Sequence, residues 1–170
     1  MINEALGKEI IQWAAQYLAD HQQSIILHYK CVADTAYSNV YRLETTTGIF
    51  YLKHVPAALF IESKVLAFLR EQGLANIPQL LAENKLLHCF IMFDCGDTSL
   101  RTLFNGEVDF NQLTLGITNY TSIQRALENK IRRLLLLGLK DWRLNEIPSL
   151  YAQLIHQDNL LLDDGGYLSE

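Results

Sequence analysis

At 170 residues, 49% apolar and 19% charged, the chain has the size and make-up of one globular domain with room for part of a second. A formal net charge of −5 with no long basic run gives no electrostatic basis for binding nucleic acid or an acidic membrane surface. No apolar stretch reaches the ~20 residues that span a bilayer, and Met1-Ile2-Asn3-Glu4 shows no signal-peptide pattern. Residues 4–20 place Leu6, Ile10, Trp13, Ala14 and Tyr17 at helical spacing and predict an amphipathic helix. From Ser24 the period changes to two, with Ile25, Leu27 and Tyr29 against Ile26, His28 and Lys30, which predicts a strand. Asn39–Glu44 and Ile49–Val55 are rich in β-branched and aromatic residues, and Thr45-Thr46-Thr47-Gly48 between them predicts a hairpin.

Pro56 ends the third strand and opens a helix over 57–72, which Gly73 stops. Its buried stripe reads as Leu59, Val65, Leu66 and Leu69, with Ser63, Lys64, Arg70 and Glu71 on the other side. Leu80–Ala82 and Lys85–Phe93 predict two more strands joined near Glu83-Asn84. Beyond Phe93 the character changes. Cys95-Gly96-Asp97 reads as a turn, and Asp97 or Thr98 can cap a short helix over Ser99–Phe104 that Asn105-Gly106 breaks. Apolar steps of three and four from Phe110 to Leu137 predict one long helix closed by Gly138. Pro148 opens another helix that runs to about His156, and the tail, 158–170, reads as an exposed turn. The boundary falls at residues 94–97, dividing 1–94 from 95–170. Three cysteines, Cys31, Cys89 and Cys95, with no CxxC fit reduced thiols in a cytoplasm.

Two residues carry the chemistry. Lys53 lies in a strand-like run, and Glu62 falls on the apolar stripe of the next helix, three after Leu59 and four before Leu66. A carboxylate on a core face is costly unless paired, and a strand lysine is its natural partner. On pattern alone the simpler reading stands first: Glu62 at the stripe edge reaching water, and Lys53 an ordinary surface residue.

The ordered set adds a resemblance. Val40-Tyr41-Arg42-Leu43-Glu44, Phe50-Tyr51-Leu52-Lys53, Phe60-Ile61-Glu62 and Phe90-Ile91-Met92-Phe93-Asp94 together resemble the N-terminal lobe of the aminoglycoside phosphotransferase family, a branch of the protein-kinase-like fold. Leu136–Leu144 and Leu150-Tyr151-Ala152 resemble that family's helical subdomain upstream of its catalytic loop. The resemblance covers roughly residues 20–165 and implies an α+β fold. Residues 1–94 would form a kinase-like nucleotide-binding lobe with five antiparallel strands, and 95–170 the start of a helical lobe. It also implies ATP with Mg²⁺ as cofactors and phosphoryl transfer to a small-molecule hydroxyl. Lys53 would contact the ATP phosphates and Glu62 would hold Lys53. The backbone of Met92, Phe93 and Asp94 would bind adenine. The turn Asp34–Asn39 would cover the phosphates through Ser38 and Asn39, although it lacks the glycine that lets backbone approach closely.

His156-Gln157-Asp158 matches the first three positions of the family's H-x-D-x-x-x-x-N loop, but Asn159 follows directly, without the spacer. Adjacent positions cannot serve both the substrate hydroxyl and the metal, so the segment reads as a helix end, with the catalytic base and metal ligands expected beyond Glu170. Two other readings remain. The chain is a non-catalytic kinase-like interaction module, or Asp158 and Asp163 serve a minimal enzyme. An incomplete helical lobe would expose apolar surface along 110–137 and favour self-association.

Overall fold

A computed structural model of the chain describes residues 4–96, 98–104 and 106–156. The chain divides into two compact units, Met1–Leu137 and Gly138–Glu170. The first is an α+β assembly. Helix α1 (Glu4–Gln22) precedes strands β1 (Ile26–Asp34), β2 (Asn39–Thr45) and β3 (Gly48–His54). Helix α2 (Ile61–Glu71) then leads to β4 (Leu80–Asn84) and β5 (Cys89–Phe93). The five strands make one antiparallel sheet in the order β1-β2-β3-β5-β4.

Side chains alternate across a strand, so the sheet has two differently filled faces. Leu43, Phe50, Leu52, Cys89 and Ile91 meet Ile10, Ala14 and Leu18 of α1 on one face. Phe90 and Met92 face the other way and join Val55, Phe60 and Leu66 around α2. Strand β5 is therefore apolar at every position, because it lies between two strands and beneath helices on both faces. Burying a side chain of this size is worth about 1.5–3 kcal/mol, which makes β3 and β5 the anchor of the unit.

Three elements differ from the sequence expectation. The run after Pro56 is not one helix: Ala57–Leu59 form a 3₁₀ turn, and α2 begins only after Phe60. The helical phase shifts accordingly. Leu59 is exposed, whereas Ser63, assigned to the polar side, is fully buried with its hydroxyl donating to the Phe60 carbonyl at 3.0 Å. The fourth strand runs on to Asn84, and Lys85–His88 form the turn. The Asn84 carbonyl oxygen Oδ1 accepts from the amides of Leu86 and Leu87, and His88 takes a left-handed φ of 46°. The long helix is interrupted as well. It comprises α4 (Phe110–Leu127), a 3₁₀ turn at Glu128–Lys130, and α5 (Ile131–Leu136). Asn129, a residue that competes for backbone hydrogen bonds, sits in the break, and Lys130 turns to donate to Gln72 Oε1 at 2.5 Å.

Before α4 lies α3 (Leu100–Phe104), whose Thr102 amide is capped by the Ser99 hydroxyl at 3.2 Å. The sequence pattern places Ser99 inside the helix rather than as its cap, and Asp97, one of the two caps expected from sequence, lies outside the described residues. Asp109 caps α4 through the amides of Asn111 and Gln112. Phe110, Leu113, Ile117 and Tyr120 of α4 are all exposed. In the second unit, α6 (Ile147–Ile155) has Pro148 in its first turn. Asp158, Asn159 and Asp163 lie outside the described residues. No helix of the described residues is long and apolar enough to cross a membrane.

Candidate functional site

Cross-strand register sets Lys53 opposite Val40 on β2 and Phe90 on β5. Phe90 packs around α2, so Lys53 shares that face of the sheet. Its ammonium Nζ donates to both carboxylate oxygens of Glu62, at 2.7 and 2.8 Å. Glu62 stands in the first turn of α2, where the helix dipole also favours negative charge. The two side chains remain 22% and 39% exposed. Water screens such a pair, and its contribution to stability is about 0–1 kcal/mol. What the contact provides is position: two of the three ammonium hydrogens are fixed on Glu62, and the third is left for another acceptor.

The same face carries more positive charge than the sequence revealed. Lys30, Arg42, Tyr51 and Met92 form one cross-strand row next to Lys53. The Arg42 guanidinium is held by Glu44. Burial is the first cause that lifts the Tyr51 hydroxyl above its ordinary value, with Asp94 adding to it. Lys30 and Arg42 were missed because alternation within a strand says which residues share its face, whereas only register says which residues of neighbouring strands join them.

The turn between β1 and β2 is closed on itself. The Thr35 hydroxyl oxygen accepts from the amides of Tyr37 and Ser38, at 3.2 and 3.0 Å, and donates to the Ser38 carbonyl. Asn39 is buried opposite His54, on the face away from Lys53. Its Nδ2 donates to Asp34 Oδ1 at 2.6 Å, and its Oδ1 lies 3.4 Å from His54 Nδ1. The structure thus brings Lys53 and Glu62 together but sends Asn39 to the opposite side. Ser38 stays in the turn, half-buried.

The three hinge residues also differ from one another. Met92 is buried and paired with Tyr51 on one side and Leu80 on the other. The Phe93 amide donates to the Gln79 carbonyl at 3.0 Å, and its ring packs on Phe50 with centroids 5.7 Å apart. Asp94 has left the sheet and accepts from the Gly96 amide through Oδ1. With Cys95 it borders a surface concavity of about 530 Å³, which Ala75–Gln79 complete. A larger concavity of about 600 Å³ lies between α2, β4 and α5, and neither Lys53 nor Glu62 lines it. Among the described residues, no group of three or more His, Cys, Asp or Glu side chains is placed to hold a metal ion. No protein-family profile, curated protein or solved structure matches the chain.

Proposed function

We propose that the α2 face of the sheet binds Mg-ATP, and that the protein is a phosphotransferase of the aminoglycoside phosphotransferase kind, directed at a hydroxyl of a small molecule. The two-point contact between Lys53 and Glu62 carries this reading. A lysine held from one side by a carboxylate presents its remaining N–H to a phosphate oxygen without a large ordering cost. Lys30 on the same face adds to the field that draws an anion in, while the Arg42 charge is met by Glu44. In this reading Lys53 neutralises charge on the ATP phosphates, and the metal is held by those phosphates rather than by the residues described. No described residue is assigned as the catalytic base.

One observation favours a second reading, a non-catalytic kinase-like interaction module. The Tyr37 and Ser38 amides are already taken by Thr35, and Asn39 by Asp34, so the turn offers a phosphate little. A titration of the intact chain with Mg-ATP separates the two, followed by melting temperature and by calorimetry beside Lys53→Ala. The phosphotransferase reading expects saturable binding and, at a hundredfold excess over Kd, stabilisation of about 2.7 kcal/mol. Lys53→Ala should weaken that binding at least about tenfold, roughly 1.4 kcal/mol. Binding that persists undiminished in the variant removes Lys53 from the site. No binding by the parent favours the module.

A further inference from the structure

The concavity between α2, β4 and α5 has the character of a ligand site that nothing in the lysine–glutamate pair explains. Its volume, about 600 Å³, falls in the range of about 300–1,000 Å³ usual for small-molecule pockets. Ala67, Leu80 and Leu137 are half-buried at its lining and Leu136 stands there 86% exposed, whereas Phe68 is buried. Four charged side chains border it, and three have partners. Arg133 reaches Glu71 at 3.4 Å and also lies over the Phe68 ring, 4.9 Å from its centroid. Glu83 is met by Lys85 at 3.5 Å. Lys64 makes no ion pair among the described residues. With Lys85 counted beside its partner Glu83, the charged groups here sum to one positive charge, and Lys64 is the one without an ion-pair partner among the described residues.

We propose that the concavity binds a small amphipathic anion, its aromatic or aliphatic body against Leu80, Leu136 and Leu137 and its anionic group on Lys64. An apolar body alone would gain from covering Leu136, but it would leave the Lys64 charge uncompensated. A carboxylate, sulfonate or phosphate head on that body uses both features. A peptide or a second copy of the chain would need a broader contact than this pocket, since specific protein interfaces bury about 800 Å² per partner. Neither Lys53 nor Glu62 lines the pocket, so the inference does not rest on the nucleotide reading.

The probe is 8-anilinonaphthalene-1-sulfonate, an aromatic monoanion, titrated against the intact chain beside the uncharged N-phenyl-1-naphthylamine. The expected result is one saturable site that prefers the anion. Lys64→Glu should weaken the anion about tenfold and leave the neutral dye unchanged. Ala67→Trp, which fills the pocket from α2, should abolish the site, while Ile117→Ser on the exposed face of α4 should not. Circular dichroism checks the fold of each variant, and Lys64→Glu, at an exposed position, keeps the test decisive where Ala67→Trp does not fold. Saturable anion binding untouched by Lys64→Glu, or equal affinity for both dyes, overturns the anion preference. Absence of a saturable site, or a site that survives in folded Ala67→Trp, overturns the pocket itself.

Discussion

Cys31, Cys89 and Cys95 carry the same thiol in two kinds of surroundings. Cys31 and Cys95 are exposed, whereas Cys89 is fully buried in the central strand. Burial disfavours the thiolate and pushes Cys89 up to about 12. Native protein treated with iodoacetamide at pH 8 should therefore be alkylated at Cys31 and Cys95, with Cys89 modified only after unfolding; peptide mapping that finds Cys89 labelled in the native state contradicts this. His54 responds to acid. Burial first, and then the neighbouring His88, hold its imidazole below the ordinary histidine value. The unfolded chain then binds a proton that the folded chain refuses. The stability tied to the neutral ring is complete above about pH 6.5 and is lost as the pH falls below it. Thermal melts between pH 7.5 and 5.5 should show the loss, and His54→Gln should flatten the slope. An equal slope in the variant would assign the pH dependence to other groups.

At the scale of elements, the sequence spoke clearly wherever one periodicity ruled. Leu6, Ile10, Trp13, Ala14 and Tyr17 marked α1, and Gly73 marked the end of α2 with a φ of 76°. It spoke poorly where a local polar group redirected the chain. Thr45-Thr46-Thr47-Gly48 looked like a plain connection, yet Thr47 donates to Ser24, Ser24 to Thr45, and Thr45 to the Gly48 carbonyl, at 2.6, 2.7 and 2.7 Å. This directional chain of hydroxyls ties the segment before β1 to the β2–β3 hairpin. Ser24 lies more than twenty residues from both threonines in sequence, so no local pattern could show it. Ser24 is fully buried, and Ser24→Ala should cost about 1–3 kcal/mol, read as a lower urea midpoint at an unchanged slope. A variant as stable as the parent would mean that the two threonines close the gap between themselves. The 3₁₀ turn before α2 is a related case, because the helix start depends on Phe60 packing against Phe90 and His88, contacts made across the fold.

Across the whole molecule, the candidate site was half legible. The Lys53–Glu62 pairing is expected only through the family resemblance: on pattern alone the unpaired reading stands first, and Leu59, one of the two residues that place Glu62 on the stripe, lies outside α2. The fate of Asn39 could not be read, since it depends on the register that sets Asn39 opposite His54 and sends it to the other face. The division of the chain at Leu137 and Gly138 is likewise a property of packing rather than composition.

The placement of β5 has one more consequence, for the order in which the molecule comes apart. Cys89, Phe90, Ile91 and Met92 are buried beneath both faces and hydrogen-bonded through strands on both sides. The edge strand β1 has Leu27, Tyr29 and Val32 exposed, and α4 has no buried side chain at all. Opening energies follow this gradient. Amide deuterium uptake should be complete in α4 and β1 long before the amides of β5 begin to exchange. Brief proteolysis should likewise cut near α4 first and spare a fragment built on the central strands. Uniform exchange across the first unit would mean that it opens all at once, with α4 as firmly held as the sheet.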